Sequence, residues 1–319
     1  MNTSTTGLPT MLAARVHRFG GPDVITIETI ARPQPGEDEV LIRVKAAGVG
    51  PWDAWVRSGR SALPQPLPLT LGSDLSGVIE TVGPGVTTFQ PGEAVFGVTN
   101  ARFTGAYAEY VVASAGMISG KPATLDHVQA ASLPVITVTA WQALFEQARV
   151  GRGQHVLIHG AAGNVGAFAV QLAHLAEARV IATASAPDRD YVRGLGASKV
   201  IDFHASHFED RVPNVDVVVD LVGGPVQERS FGVLKPGGLL VSAVSEPDQI
   251  LAQRFGVRAV FFLVNVTTMH LTLISEMVDA GDLTTSIGEV LPFADARVAH
   301  EMLHSSRQRR PGKIVLNLA

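Results

Sequence analysis

The stretch that most constrains this 319-residue chain is HVLIHGAAGNVGAFAVQLA, residues 155–173. An apolar β-type run ends in a cluster of glycines, and apolar residues at helical spacing follow at once. A strand, a tight turn and a helix satisfy that order. In the dinucleotide register Ala161-x-Gly163-x-x-Gly166, close backbone approach at Gly163 admits a pyrophosphate, with Ala162 beside it as a cofactor-binding candidate. The free N–H groups of Asn164 and Val165, together with the helix dipole, favour its charge. Gly166 lets the helix pack close to the strand. Ala161 stands where the usual fingerprint has its first glycine.

The same alternation continues downstream. RVIATA (179–184), a helix around DRDYVRGLG, KVIDF (199–203), DVVVDLVG (216–223), GLLVSAV (238–244) and AVFFLVNV (259–266) follow in turn. Apolar runs without alternation are strands buried on both faces, as in a parallel sheet built from right-handed βαβ units. Before about residue 135 the texture differs. EVLIRVKAAGV (39–49), GVIETVG (77–83), AVFGV (94–98) and AYAEYVVA (106–113) read as strands of a mostly antiparallel body. The proline-rich ALPQPLPLTLG (62–72) reads as an extended loop. After residue 265 come the helices LTLISEMVDAGDL and ADARVAHEMLHSS and a last strand in GKIVLNLA. The expected division is 1–136, a dinucleotide-binding domain over 137–264, and a return to the first domain over 265–319.

Composition narrows the chemistry. With no cysteine there is no disulfide, no thiolate zinc site and no cysteine nucleophile. The charges are scattered, with a formal net charge of −4, so a nucleic-acid partner is not expected. Val257–Val266, the most apolar stretch, is too short to span a bilayer. Residues 1–10 lack a basic segment followed by an apolar one, so no signal peptide and a cytoplasmic location are expected. Where an NAD-binding fold places a ribose-binding acid, the chain has Thr183-Ala184-Ser185, with Arg189 close behind. A hydroxyl and a guanidinium suit a 2′-phosphate, hence NADPH rather than NADH, although Asp188 nearby opposes that reading. His300-Glu301-Met302-Leu303-His304 spells HExxH without a downstream third ligand and reads as a solvated helix face. Arg307, Arg309 and Arg310 read as a solvated loop, and no GxSxG nucleophile elbow occurs.

Motifs spread along the chain carry a resemblance. AAGVGPWDAWVRSG (46–59), LGSDLSGVIETVG (71–83), GAYAEYVV (105–112), VTAWQAL (138–144), HGAAGNVG, DVVVDLVGG, LKPGGLLVS (234–242) and GKIVL (312–316) occur in sequence. Together they resemble the zinc-independent quinone oxidoreductase (zeta-crystallin-like) branch of the medium-chain dehydrogenase/reductase superfamily. The resemblance implies an α/β architecture: a GroES-like, mostly antiparallel catalytic domain made from both chain ends, and a Rossmann doubly wound domain inserted between them. It also implies NADPH in the cleft and a homodimer paired through the outer Rossmann strand. Zinc-containing relatives carry a cysteine near position 50 and a His-Glu pair near 73–74, where this chain has Gly50, Ser73 and Asp74. Zinc chemistry at a carbonyl is therefore not expected.

The residue matches run as follows. Asp53 matches the family's aspartate, Trp55 stands where many members have tyrosine, and Phe203 stands where NADP-binding members often have one. Thr139 matches a position beside the nicotinamide, and Val222, Gly223, Ala243, Phe262 and Val264 match the cofactor groove. Trp52, Asp53, Trp55 and Phe103 are acceptor-pocket candidates, with core packing the competing reading of each aromatic. No side chain stands out as a proton donor. The implied activity is hydride transfer from NADPH to a quinone or an α,β-unsaturated carbonyl. The alternatives are an enoyl reductase acting on thioesters or a secondary-metabolite alkene, and a non-catalytic NADPH-binding regulator.

Overall fold

A computed structural model describes residues 9–63, 65–212, 214–303 and 311–319. His304, Arg307, Arg309 and Arg310 lie outside the described residues. The chain divides into two units, residues 1–135 with 266–319, and residues 136–265.

The first unit contains strands β1 (Thr10–Val16), β2 (Thr26–Ala31), β3 (Glu39–Val49), β4 (Leu69–Thr70), β5 (Asp74–Val82), β6 (Ala94–Val98), β7 (Tyr110–Ser114) and β8 (Ile118–Gly120). The strands numbered β9 to β14 belong to the second unit, and β15 (Ile287–Pro292) and β16 (Lys313–Asn317) return to the first. Among the described residues its larger sheet runs β15-β16-β3-β5-β6-β8, with β7 also on β3. The smaller sheet is β2-β1-β4. The C-terminal return is integral to this unit. Strand β16 pairs antiparallel with β3, and Ile314 and Leu316 share a core with Val44, Ala47 and Val49. The β3–β5–β6 ladders are antiparallel, while β15 and β16 are parallel.

The run at 106–113 is not one strand: β7 begins at Tyr110. The backbone of 106–109 bonds instead to Leu71, Gly72, Leu12 and Ala14, bridging elements that a single ladder cannot reach. The proline-rich loop ends in β4, a two-residue strand paired with β1. Helix α1 (Pro51–Ser58) leaves β3 through a defined start. Gly50 is the N-cap, Pro51 holds the first helical position and Asp53 reaches back to the Gly50 N–H. Gly59, at φ +75°, closes the helix in the left-handed region that glycine tolerates.

In the second unit, β9 (His155–Ile158), β10 (Arg179–Ala184), β11 (Lys199–Asp202), β12 (Val215–Asp220), β13 (Leu234–Ser242) and β14 (Arg258–Phe261) form one sheet of order β11-β10-β9-β12-β13-β14. Every pairing in it is parallel. Relabelled from β9, the order is 3-2-1-4-5-6, the doubly wound arrangement with its switch point between β9 and β12. The continuous valine, leucine and isoleucine runs form its centre, and Val156, Leu157, Val218 and Leu240 are fully buried. The apolar run 259–266 was expected to be strand throughout. The strand stops at Phe261, because β14 is the sheet's edge and the chain beyond is taken over by Gln142, whose side chain bonds both backbone groups of Asn265. Phe262 and Val264 therefore lie in irregular chain rather than in a ladder.

Helix α2, introduced here as Asn164–Leu175, follows β9 through the glycine turn, with Gly163 as its N-cap. At Gly166 a Cβ would fall 2.2 Å from the Gly160 carbonyl oxygen and 2.7 Å from the Ala161 Cα. At Gly163 the nearest atom would be the same oxygen at 3.1 Å. Gly166→Ala should therefore destabilise the fold by about 2 kcal/mol or more, the scale of forced overpacking. Gly163→Val should melt within about 1 kcal/mol of the parent. Thermal melts of both variants check this, and equal melting would show that α2 can move off the strand.

Candidate functional site

Two polar centres are built, one in each unit. In the second unit the glycine turn is tied down by its own backbone. The Gly163 N–H donates to Gly160, and the Ala161 N–H donates to the Thr183 carbonyl at the end of β10. Gly163 is exposed, and Ala162, Asn164 and Val165 are half-buried. The first-turn N–H groups have no intrahelical acceptor, so the bare turn ends on a positive helix terminus.

His159, just before the turn, is buried. Ser230 Oγ donates its hydrogen to the Val226 carbonyl at 2.6 Å, so it must accept from His159 Nε2 at 3.0 Å. Thr183 Oγ1 then donates to His159 Nδ1, also at 3.0 Å. Burial pushes the imidazole down to about 4, and the ring is a neutral strut between β9, β10 and the helix at Pro225–Ser230.

A second strut stands at the end of β12. Asp220 Oδ1 accepts the N–H groups of Val222 and Gly223, and its Oδ2 accepts from Gln227 and Ser242. Gly160 and Val222 approach closely, since a Cβ on Gly160 would lie 3.3 Å from Val222 Cγ2. The structure therefore brings Ala162, Gly163, Asn164, Val165, Gly166, Val222 and Gly223 to the C-terminal end of the central strands β9 and β12. Ala243 follows the neighbouring strand end, and Phe262 donates its N–H to the Ser242 carbonyl. Thr139 is buried in the helix Pro134–Trp141, and Val264 is half-buried.

At the tip of β10, Ser185 and Arg189 frame a short turn. Ser185 Oγ donates to Asp188 Oδ2 at 2.6 Å, and Arg189 is exposed at the start of the next helix. The serine hydroxyl is thus held by a carboxylate. A cavity of about 180 Å³ opens at the other end of the strands, lined by Gln154, Asp216, Lys235 and Arg258. It is remote from the glycine turn, and its Lys235 is already paired with Asp216 at 2.8 Å.

In the first unit, Asp74 and Lys313 form a wholly buried ion pair at 2.8 Å. Burial pushes the Asp74 carboxyl up, against the pull of Lys313. Room for the pair comes from Gly48, where a Cβ would lie 3.0 Å from both Asp74 and Lys313. The Lys313 ammonium also sits 4.1 Å from the centre of the Trp52 ring, and Trp52 Nε1 donates to Ser73 Oγ at 2.9 Å. A Cβ on Gly50 would lie 2.4 Å from that indole. Positions 50 and 73, where zinc-containing relatives carry ligands, are thus filled here by an indole and the hydroxyl it bonds. Trp55 is 43% exposed, Phe103 is half-buried at φ +59°, and no ring contact among the described residues joins Phe103 to either tryptophan.

Asp53 is fully buried, and its Oδ2 accepts from both the Gly50 N–H and the Tyr107 hydroxyl. It holds the turn under Trp52 from behind rather than meeting solvent. His300 corrects a sequence expectation. It is not on a solvated face but wholly buried, accepting from Arg57 at its Nδ1 (2.7 Å) and meeting Tyr107 edge-on. An arginine can only donate, so the His300 proton resides on Nε2 and the ring is neutral. Glu301 pairs with Arg297 on the outer face. Sequence reasoning missed Tyr107, Arg57, Lys313, His159 and Asp220 as organising residues. GKIVL and DVVVDLVGG contain two of them, but nothing in those motifs says which side chains are buried. Among the described residues no three His, Cys, Asp or Glu side chains group as a metal site, and no helix is long and apolar enough to cross a membrane.

Comparison with known proteins gives the lineage. A family model described as "Alcohol dehydrogenase GroES-like domain" matches residues 36–123, and one described as "Zinc-binding dehydrogenase" matches 195–316. Quinone oxidoreductase of Sus scrofa is 32% identical, covering 98% of this chain and 99% of the relative. The solved quinone oxidoreductase of Coxiella burnetii superposes with a TM-score of 0.91 at 33% identity, covering 98% of this chain and 100% of the other. A mycobacterial protein solved in complex with NADPH gives 0.85 at 30% identity, with 96% and 99% covered.

Asp53 generates a prediction. Burial lifts its carboxyl from 3.8 to about 7, so the folded chain holds a proton that the unfolded chain releases between those values. Stability from this group therefore falls as pH rises through that window and is level above it. Asp53→Asn keeps an acceptor for Gly50 and Tyr107 and carries no charge. Its stability relative to the parent should rise between pH 4 and pH 7, by a total on the order of 4 kcal/mol or less. Urea denaturation across that range checks it, and parallel pH profiles would contradict it.

Proposed function

Because the chain belongs to the quinone oxidoreductase branch of the medium-chain dehydrogenase/reductase superfamily and is an oxidoreductase, we propose that it reduces a quinone or an α,β-unsaturated carbonyl with NADPH, without zinc. The observation that carries this is the bare helix terminus at Gly163, placed at the switch point of a doubly wound sheet. The residues there fit a dinucleotide. Gly163 is exposed, and the first-turn N–H groups of the helix have no intrahelical acceptor.

When bound, the cofactor supplies the hydride. The chain's residues supply position. Gly163, Asn164 and Val165 take the pyrophosphate, and Ser185 and Arg189 take the 2′-phosphate, with Ser185 exchanging Asp188 for the ligand. Val222, Gly223, Ala243, Phe262, Val264 and Thr139 complete the cofactor wall. Trp52, held by Ser73 and Lys313, is the acceptor-side aromatic, with Trp55 and Phe103 as further candidates and Asp53 supporting the turn. The donor set supports zinc-free chemistry, because Gly50 and Ser73 offer no imidazole or thiolate and the Asp74 carboxylate is already paired with Lys313. The acceptor needs conjugation, so that charge developed on its oxygen is spread by its own π system. The closing proton comes from solvent. Cytoplasmic location and a homodimer complete the reading.

Cofactor titration separates the parts of this assignment. Gly163→Val should abolish binding of NADPH and NADH alike. Arg189→Ala should weaken NADPH by about tenfold or more, the value of one charge-assisted hydrogen bond, and leave NADH unchanged. If Arg189→Ala leaves the NADPH/NADH ratio as in the parent, the phosphate assignment is wrong. Turnover of thioester enoyl substrates in preference to quinones and enones would select the enoyl reductase alternative.

A further inference from the structure

The parallel strands β12 and β13 are in register at Asp220 and Ser242, and the loop after β12 lies against Gly160 of the glycine turn. We propose that Asp220 is a positioning residue for the cofactor: a buried carboxylate that fixes the loops 221–224 and 243–245 together and thereby sets nucleotide affinity. The proposal rests on the cofactor reading above.

Asp220 is fully buried, yet its neighbours reach solvent. Val222 is 52% exposed, and Gly224 is exposed. Four donors converge on the carboxylate. The Val222 N–H (3.0 Å) and Gly223 N–H (2.8 Å) reach Oδ1, and Gln227 Nε2 (2.9 Å) and Ser242 Oγ (2.9 Å) reach Oδ2. Two of these donors extend the clamp to the second loop. Gln227 Nε2 also reaches the Ser245 carbonyl at 3.1 Å and its hydroxyl at 3.2 Å. Ser242 Oγ, having given its hydrogen to Asp220, accepts the N–H groups of Val244 and Ser245 at 3.3 Å. The loops meet directly as well, since a Cβ on Gly223 would lie 3.1 Å from Ser245 Oγ.

A carboxylate is the one small side chain that accepts from four donors at once, and it is costly to bury unless it does so. An amide in its place would present an NH2 group to the Gln227 amide and the Ser242 hydroxyl, donor against donor. The buried charge fixes backbone in the left-handed region, φ +78° at buried Gly223 and +58° at exposed Gly224. Ordering those loops before the nucleotide arrives removes an entropic cost from binding.

The test uses the full chain and three variants: Asp220→Asn, Asp220→Asn with Gln227→Glu, and Ser242→Ala. Amide hydrogen exchange of the free protein should accelerate at Val222, Gly223, Val244 and Ser245 in Asp220→Asn. Its dissociation constant for NADPH should rise by about tenfold or more, as for a lost charge-assisted hydrogen bond, with KM for NADPH affected far more than kcat. Adding Gln227→Glu restores an acceptor opposite the new amide but loses the donor to the Ser245 carbonyl, so it should recover slow exchange at Val222 and Gly223 and only part of the lost affinity. Ser242→Ala removes one donor and two acceptor positions and should weaken NADPH by about threefold or more even if Asp220→Asn fails to fold. Unchanged exchange, parental affinity in Asp220→Asn and Ser242→Ala, or no recovery in the double variant overturns the proposal. A parent chain that binds neither NADPH nor NADH would instead remove the cofactor reading, and the exchange measurement would still decide whether the clamp exists.

Discussion

At Gly166 the first turn of the helix comes so near the end of β9 that a Cβ would lie 2.2 Å from the Gly160 carbonyl oxygen. That approach sets the rest of the second unit. It brings a helix N-terminus to the switch point of the sheet, where β10 and β12 leave β9 on opposite sides. The turn between must be small and bare, and the Thr183 carbonyl holds it from β10. Once the helix is held there, its positive terminus stands open at an edge where the neighbouring strands also end. A nucleotide pyrophosphate is the ligand such an edge accepts best.

That end of the strands is stiffened by polar groups without access to water, held by different devices. His159 is kept neutral by burial and bridges Thr183 and Ser230. Asp220 gathers four donors. In the first unit the balance differs. Asp74 and Lys313 are buried as an ion pair, whose mutual attraction offsets a desolvation cost of several kcal/mol per ion. Removing only one partner of such a pair costs about 3–5 kcal/mol. Gly48 makes room for it and is held to its size by the pair and by the Ala131 carbonyl oxygen, 2.5 Å from where a Cβ would lie. Asp53 takes a third course: burial lifts its carboxyl to about 7. These groups place Trp52 over the Lys313 ammonium and beside Ser73, leaving no room for a side chain at position 50.

The parallel sheet was legible because its strands are buried on both faces and so carry unbroken β-branched runs. The glycine turn was legible because close backbone approach admits few residues. The edge strand was over-read: AVFFLVNV is uniformly apolar, but a partner strand flanks it on one side alone, and Gln142 claims the chain at Asn265. His300 was misplaced because its partner, Arg57, lies 243 residues away, and the HExxH spacing says nothing of what packs against the helix. Lys313 and Asp74, 239 residues apart, were invisible as a pair for the same reason. Local pattern reports which face of an element is buried. It does not report which polar side chain another element will meet there.

The central claim is hydride transfer to a conjugated acceptor without a metal. The most direct measurement is a single turnover. Chelator-treated protein saturated with NADPH is mixed rapidly with a 1,4-benzoquinone, and the reduced-nicotinamide absorbance is followed. The account predicts loss of one NADPH per quinone reduced, at a rate that added zinc leaves unchanged. Loss of absorbance only after zinc is restored, or none with any quinone or enone, would contradict it.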